Sequence, residues 1–322
     1  MGKESTTRLP WLSVIVPSHN GERWLAAALQ SIVDQCEHDI EVILVDSSDT
    51  EDSLRIAAQF ADKLHLRIFR QPDVLPWTAK TNFGVEQARA EWICMLHQDD
   101  LWLPHRCVSL RKWLAAQSDA VMHLHPAYII DERGKRIGIW RCPLPASETP
   151  VPSELLLQRL LVQEFIAIPT PSIRRDDFIR VGGLDDTLQQ TADWDLYLKL
   201  CQAGNVFYHS EALACFRIHS ASQTLSASRN VTDYRKQLES VLARHVGRLN
   251  SMSRQWILPL AQASVEINTA LASANNGRPA ALIKALYFLL RIGPRATWKY
   301  IVYSRITERV IPRLRARLAG GL

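Results

Sequence analysis

The first strong pattern in the chain is an apolar run, WLSVIVP (residues 11–17), rich in β-branched residues and closed by proline, which reads as a buried strand. The polar loop Ser18-His19-Asn20-Gly21 follows. ERWLAAALQSIVDQ then sets Trp24, Leu25, Leu29, Ile32 and Val33 on one helical face. IEVILVD (40–46) is a second strand, SSDTEDSLRIAAQFADKL a polar turn and helix, LRIF a third strand, AKTNFGVEQARA a helix and EWICML (91–96) a fourth strand. This alternation predicts an α/β fold whose central sheet is mostly parallel and covered on both faces. Ligands of such sheets gather beyond the carboxyl ends of the strands, which selects the loops 17–22, 46–49 and 97–100.

Beyond Pro104 the pattern is less regular. RCVSLRKWLAAQ reads as a helix, and VMHLHPAYIIDERGKRIGIW as two strands around the turn DERG. Residues 141–152, RCPLPASETPVP, carry four prolines and read as a linker or a lid. SELLLQRLLVQ resumes helix, and TADWDLYLKLCQAG is a helix with Thr191 as N-cap and Asp193 in its first turn. VFYHSEALACFRIHS is extended. From about 230 to 319 the pattern is helical, broken at Asn275–Pro279 and Gly293–Pro294. Two units follow: a catalytic domain over 1–230 and a helical appendage over 231–322.

Composition narrows the function classes. With 47% hydrophobic residues among 322 the chain has ample material for a core. Its 38 Lys and Arg against 33 Asp and Glu give +5, and the excess sits near the end, where 291–322 holds a single acid. A terminal excess beside an acid-rich centre argues against a nucleic-acid binder. Arg305, Arg309, Arg313 and Arg317 recur every four positions, and so progress along a helix surface that either is solvated or meets an anionic membrane. The six cysteines form no CxxC, so they read as buried free thiols of a reducing compartment, and the expected location is cytoplasmic. The polar start MGKESTTRLP carries no signal pattern. The longest apolar stretch, AALIKALYFLLRIG, is interrupted by Lys284 and Arg291, so the expectation is a soluble or peripheral protein. Neither GxGxxG nor GxxxxGK occurs, which weakens dinucleotide and nucleoside-triphosphatase readings. His123 and His125 lack a CxxC or HExxH partner and read as packing residues.

The polar positions at strand ends carry the chemistry. WLSVIVPSHN, EVILVDSSDTEDS, AKTNFGVEQARAEWICMLHQDD and GGLDDTLQQTADWDLYLKL occur in the order seen in family 2 glycosyltransferases, and residues 11 to about 220 resemble those inverting, nucleotide-sugar-dependent enzymes. The resemblance implies a GT-A-like fold, a Rossmann-like sheet with flanking helices. It also implies a nucleotide-diphosphate sugar as donor, UDP-linked in most relatives, and a glycan or lipid-linked acceptor hydroxyl. Pro17, Asn20 and Glu22 then line the nucleotide pocket, and Asp46 reads the base as a hydrogen-bond acceptor. Ser47 replaces a second acid common in relatives. Lys80 stands where the family often has Arg, and faces phosphate or solvates a helix.

In CMLHQDDLWLP the family pattern sets Asp99 at the position that contacts a divalent ion, Mn²⁺ or Mg²⁺, bridging the diphosphate, and Asp100 beside it in a positioning or second metal-contacting role. His97 occupies the family's first acidic position, with three readings: a hydrogen bond to ribose, a supporting role, or direct ligation. FRIHSASQ resembles the element in which His219 approaches the metal or diphosphate. Asp193 matches the general base of an inverting transfer, with Ala192 in place of a common acid. Trp194 packs the helix or offers an apolar sugar face, and the loop 184–192 and the linker 141–152 are candidate acceptor-selecting segments. A nucleotidyltransferase and an inactive nucleotide- or glycan-binding relative are the alternatives.

Overall fold

A computed structural model of the protein describes residues 9–220 and 230–318; Ser222, a loop residue of FRIHSASQ, lies outside them. Eleven strands are described, in two sheets. The larger has the order β10-β6-β9-β4-β1-β2-β3. Its strands are β1 (Leu12–Ser18), β2 (Ile40–Asp46), β3 (His65–Arg70), β4 (Trp92–Met95), β6 (Ala120–Leu124), β9 (Ser172–Arg174) and β10 (Asn205–Tyr208). β1 pairs in parallel with β2 and β4, β2 with β3, and β6 with β10, while β9 runs antiparallel between β4 and β6. The expected α/β sheet is present, and mostly parallel.

β1 and β2 are buried along their whole length, as strands covered on both faces must be. Side chains along β1 alternate between two cores. Leu12, Val14 and Val16 pack with Leu25, Leu29 and Ile32 of helix α1 (Leu25–Val33), whereas Ile15 packs with Val85 of helix α3 (Trp77–Gln87). α3 lies close on the sheet because Gly84 has no side chain: a Cβ there would stand 2.6 Å from Ile15 Cγ2. The polar exceptions pair with each other. Ser13 Oγ donates to Glu41 Oε1 at 2.6 Å, and Glu41 also accepts from the Arg89 N–H at 2.6 Å.

The smaller sheet has the order β5-β11-β7-β8, with β5 Leu101–Trp102, β7 Ala127–Ile130, β8 Arg136–Trp140 and β11 Ala214–Arg217. The segment read as two strands around DERG is therefore three, because Pro126 breaks it and the first piece stays in the large sheet. The linker 141–152 forms no helix or strand; Ser147 and Val151 N–H groups bond to the carbonyls of Tyr208 and Val206 along β10.

Helices α2 (Asp52–Ala58), α4 (Arg106–Ala116), α5 (Ser153–Val162), α6 (Arg175–Arg180) and α7 (Ala192–Leu200) complete this half. The helical C-terminal region contains α8 (Val231–Val246), α9 (Ser251–Asn275), α10 (Ala281–Arg291), α11 (Pro294–Ser304) and α12 (Ile306–Leu318). Its breaks fall where Asn275–Pro279 and Gly293–Pro294 signalled them. A further one is at Arg305, whose left-handed backbone (φ 44°) turns the chain between α11 and α12 without a glycine or proline to announce it. α8 and α9 pack into the same apolar core as α5 and α7. α12 lies against β8: Glu308 accepts from the Arg141 backbone N–H and guanidinium at 3.0 Å, and Arg315 donates to the Ile137 carbonyl at 2.8 Å. No helix among the described residues is long and apolar enough to cross a membrane. All six cysteines are free, five of them buried.

Candidate active site

A cavity of about 560 Å³ opens beyond the carboxyl ends of β1 and β4 and runs between the sheet and the C-terminal helices. Pro17, Lys80, His97, Asp99, His219 and Asp193 all line it. Asn20, Glu22 and Asp46 do not. Asp46 is fully buried, and its carboxylate accepts from the Ser48 hydroxyl at 2.7 Å and backbone N–H at 3.1 Å. The Ser48 hydroxyl in turn receives the Asn20 N–H at 2.8 Å, so Asp46 shapes the first loop from behind. Glu22 lies near the Ser53 hydroxyl, at 3.3 Å, outside the cavity wall.

The loops after β1 and β4 are tied by a reciprocal pair: the His19 N–H donates to Gln98 Oε1 at 2.9 Å, and Gln98 Nε2 donates back to the His19 carbonyl at 3.0 Å. Lys80, on α3, is buried beneath them, with Nζ donating to the Ser18 carbonyl at 2.9 Å and Ser47 Oγ at 2.7 Å. Burial lowers its pKa to about 8, against the opposing pull of Asp46.

Asp99 and His219 meet through the small sheet. β5 follows Asp99 and pairs antiparallel with β11, which leads to His219, so the two residues face each other across the ladder. His219 Nε2 lies 2.8 Å from Asp99 Oδ2. Burial pushes the Asp99 carboxyl up, but the hydrogen bond from His219 and the electrostatic pull of the neighbouring His97 and His219 rings outweigh it and hold the group below its ordinary value. His219 is wedged against Trp24, ring centroids 4.0 Å apart, and its Nδ1 is buried with no partner among the described residues. Asp100 accepts the Arg217 N–H at 2.9 Å, and Arg217 Nε donates to the Asp99 carbonyl at 2.7 Å. Asp100 therefore fixes the ladder that carries both donors. Burial and the Asp99 charge push its carboxyl well up.

His97 stands edge-on to Trp77 at 5.1 Å, and its Nε2 is buried with no partner among the described residues. Burial depresses its pKa and so favours the neutral ring, and the residue lines the cavity. A divalent ion would find two adjacent protein donors, Asp99 Oδ2 and His219 Nε2. No group of three or more His, Cys, Asp or Glu able to hold a metal occurs among the described residues. The pair fits an ion whose remaining positions are filled by a substrate's oxygens and water, and an imidazole beside a carboxylate suits Mn²⁺ better than Mg²⁺.

The other end of the cavity is built by helix starts and ends. Asp193 lies in the first turn of α7, where its Oδ1 accepts the Trp194 N–H at 2.9 Å. Burial raises its pKa to about 6. Thr191 holds the N-cap position but makes no side-chain cap: its hydroxyl is buried and unpartnered among the described residues. The Trp194 ring is buried and donates Nε1–H to the Leu160 carbonyl at 2.7 Å, which is packing. Asp195 points away, to His245 at 2.8 Å and Lys199 at 3.0 Å.

Several cavity residues escaped the sequence reading. Glu164, just past α5, lies near Asp193, and burial together with the Asp193 charge pushes its carboxyl well up. Its neighbour Gln163 is clamped by α9 through Asn268 Nδ2 at 2.9 Å and Ser264 Oγ at 3.1 Å. Arg309 and Arg313 of α12, both half-buried, and the exposed Arg317 also line the cavity. Only their spacing was visible. Of the two loops singled out for acceptor choice, 184–192 lines the cavity through residues 189–191 and 141–152 does not.

The chain matches known proteins over both the loop-bearing sheet and the helical region. It is 25% identical over 240 residues, 73% of this chain and 77% of the relative, to an uncharacterized glycosyltransferase of Haemophilus influenzae. A second such protein, from Nostoc, is 26% identical over 230 residues, covering 67% of each chain. Among solved structures, S. aureus TarS 1-349 in complex with UDP-GlcNAc superposes with a TM-score of 0.65 at 15% identity, over 96% of this chain and 92% of that one. The mannosyltransferase PcManGT from Pyrobaculum calidifontis, in complex with GDP-Man and Mn2+, gives 0.53 at 16% identity, over 94% and 88%. These likenesses identify the GT-A fold. The model of the family described as glycosyl transferase family 2 matches residues 13–182, the stretch that carries the β1 and β4 loops and Glu164, and the chain belongs to that family.

Proposed function

We propose that the protein is an inverting, divalent-metal-dependent glycosyltransferase that moves a sugar from a nucleoside-diphosphate sugar to a hydroxyl of a saccharide or lipid-linked saccharide. The observation that carries this reading is one continuous cavity with the Asp99–His219 pair on one part of its wall and a carboxylate of raised pKa, Asp193, on another. Donor diphosphate and acceptor hydroxyl can then meet inside one enclosure.

In this reading Pro17 and the loop behind it, held by Asp46, Asn20 and Glu22, shape the nucleotide end. Lys80 keeps the Ser18 and Ser47 groups in place there. His97 offers its free Nε2 to the ribose, and Asp99 with His219 holds Mn²⁺ or Mg²⁺. When bound, the ion would offset charge gathering on the departing diphosphate. Asp193 takes the proton from the acceptor hydroxyl as the acceptor oxygen bonds to the anomeric carbon and the carbon–phosphate oxygen bond breaks on the opposite side. No covalent sugar-enzyme intermediate is formed, so the configuration inverts. A UDP-linked donor is the first to try, with GDP-linked sugars second, since neighbours of the same fold were solved with one or the other. The exposed apolar face of α10 supports a peripheral position at the cytoplasmic face of a membrane.

The test is a donor-hydrolysis screen across nucleotide sugars, with and without Mn²⁺ or Mg²⁺. We expect one nucleotide class to be released in a metal-dependent reaction, and Asp99→Ala to lose at least tenfold of it. Release that persists in excess chelator, or in Asp99→Ala, would overturn the metal assignment.

A further inference from the structure

Within the cavity the C-terminal helices do more than cover the catalytic half. Arg309 and Arg313, half-buried and four residues apart on one face of α12, line the cavity, and Arg317, one turn further on, is exposed. Neither Arg309 nor Arg313 makes an ion pair among the described residues. The polar contacts they do make are weak or local: Arg309 to Asn268 Oδ1 at 3.4 Å and Arg313 to the Arg309 carbonyl at 2.8 Å. Arg309 Nε is buried with no partner at all among the described residues. Two guanidinium groups so placed repel each other, and although the Glu164 carboxyl lies near both, it forms no ion pair with either among the described residues. Burial and the neighbouring Arg309 lower the Arg313 pKa to about 10.

Their surroundings locate them in the cavity. Both arginines act on Glu164, which lies beside Asp193, whereas the groups that act on Asp99 are the imidazole rings of His97 and His219. The arginines therefore belong to the Asp193 side. Burial pushes the Glu164 carboxyl well up and so disfavours its charged form, which leaves two guanidinium groups as the concentrated charge on this part of the wall. α12 is held in this pose by β8, where Pro312 sits over Gly138 and Arg309 lies 5.8 Å from the Trp140 ring.

We infer that Arg309 and Arg313 form an acceptor subsite for a phosphate group, so that the acceptor is a phosphorylated molecule whose anion is held by the two guanidinium forks while its hydroxyl reaches Asp193. The inference rests on the glycosyl-transfer reading for its name, acceptor, but not for the anion site. Guanidinium forks match phosphate geometry and supply several charge-assisted hydrogen bonds. A bound phosphate offsets the repulsion between the pair and satisfies Arg309 Nε. The phosphate can come from a soluble phosphorylated saccharide or from a lipid headgroup. Apolar side chains Leu271, Leu282 and Leu314 on the same wall leave room for either.

The experiment is calorimetric titration of the full-length protein with inorganic phosphate in excess chelator, where the metal site cannot contribute. We expect saturable binding that is unchanged in Asp99→Asn and in Arg295→Gln, an exposed arginine outside the cavity. It should weaken at least tenfold in Arg309→Gln/Arg313→Gln. Arg313→Lys, which keeps the charge but not the fork, should fall between and covers the case in which the double variant fails to fold. Glycerol 3-phosphate and dihexanoyl phosphatidate, competed against phosphate, separate the sources: both displace it, the lipid more strongly if the headgroup belongs to a membrane acceptor. Phosphate binding that is absent, or equal in wild type and the arginine variants, would overturn the subsite and leave glycosyl transfer standing. Arginine-dependent binding in a protein that hydrolyses no donor would do the reverse.

Discussion

Asp193 is the residue on which chemistry and stability pull in opposite directions. A buried carboxyl with a pKa of about 6 is favoured in its protonated form by the fold, whereas a general base must be ionised. Because the folded pKa lies above the unfolded one, the stability tied to this group is fully present below pH ~4 and is lost as pH rises through about 6. Activity runs the other way. We expect kcat/KM to rise about tenfold per pH unit below about 6 and to level off above it. Asp193→Asn should lower transfer by ~10²–10⁴ with donor binding intact, and at pH 8 its melting temperature should not fall below wild type. A pH profile flat from 5 to 8, or normal turnover in Asp193→Asn, would remove the base assignment. Asp193 was legible because it heads a helix after GGLDD. Its partner Glu164 was not, since FIAIP around it carries no pattern and the proximity arises only when α5 meets α7.

At the scale of elements, what could be read was local and what could not was contact between distant segments. The strands from 12 to 95 were visible because covered strands must be continuous apolar runs, and β2 coincides with IEVILVD. β9 and β10 flank β6 through long-range pairing that no local period encodes. The docking of α12 on β8 is of the same kind. It depends on Gly138, where a Cβ would lie 2.5 Å from Pro312 Cγ, so an added methyl must push helix from strand. Overpacking of this sort costs ~1–3 kcal/mol. The expected result for Gly138→Ala is therefore a lower melting temperature, and, since Arg309 and Arg313 ride on the displaced helix, weaker phosphate binding with donor hydrolysis near wild type. Gly138→Ala/Pro312→Ala should recover much of both by removing the struck ring. If Gly138→Ala binds phosphate as wild type does, the seat of α12 does not set the position of its arginines.

On the scale of the whole molecule, the periodic arginines and the apolar face turn out to be different surfaces. The arginines of α12 were read from sequence as solvated or membrane-facing, yet three line the cavity. The outward apolar surface lies instead on α10 and α11. Ile283 and Leu290 are each 72% exposed, Leu286 and Tyr287 57%, and Trp298 68%. Their spacing of three and four places the α10 residues on one stripe, and Arg291, Arg295 and Lys299 are exposed nearby. An apolar stripe with an indole, a phenol and flanking cations suits the interface of an anionic bilayer better than water. Leu282 of the same helix lines the cavity. Burying two such side chains is worth ~1.5–3 kcal/mol each. Replacing Ile283 and Leu290 with Glu should accordingly release the protein from vesicles containing phosphatidylglycerol in a flotation assay, while donor hydrolysis in solution stays at the wild-type rate. Wild-type protein that remains with the soluble fraction would exclude this face as a membrane anchor, and would favour a soluble phosphorylated acceptor over a lipid one.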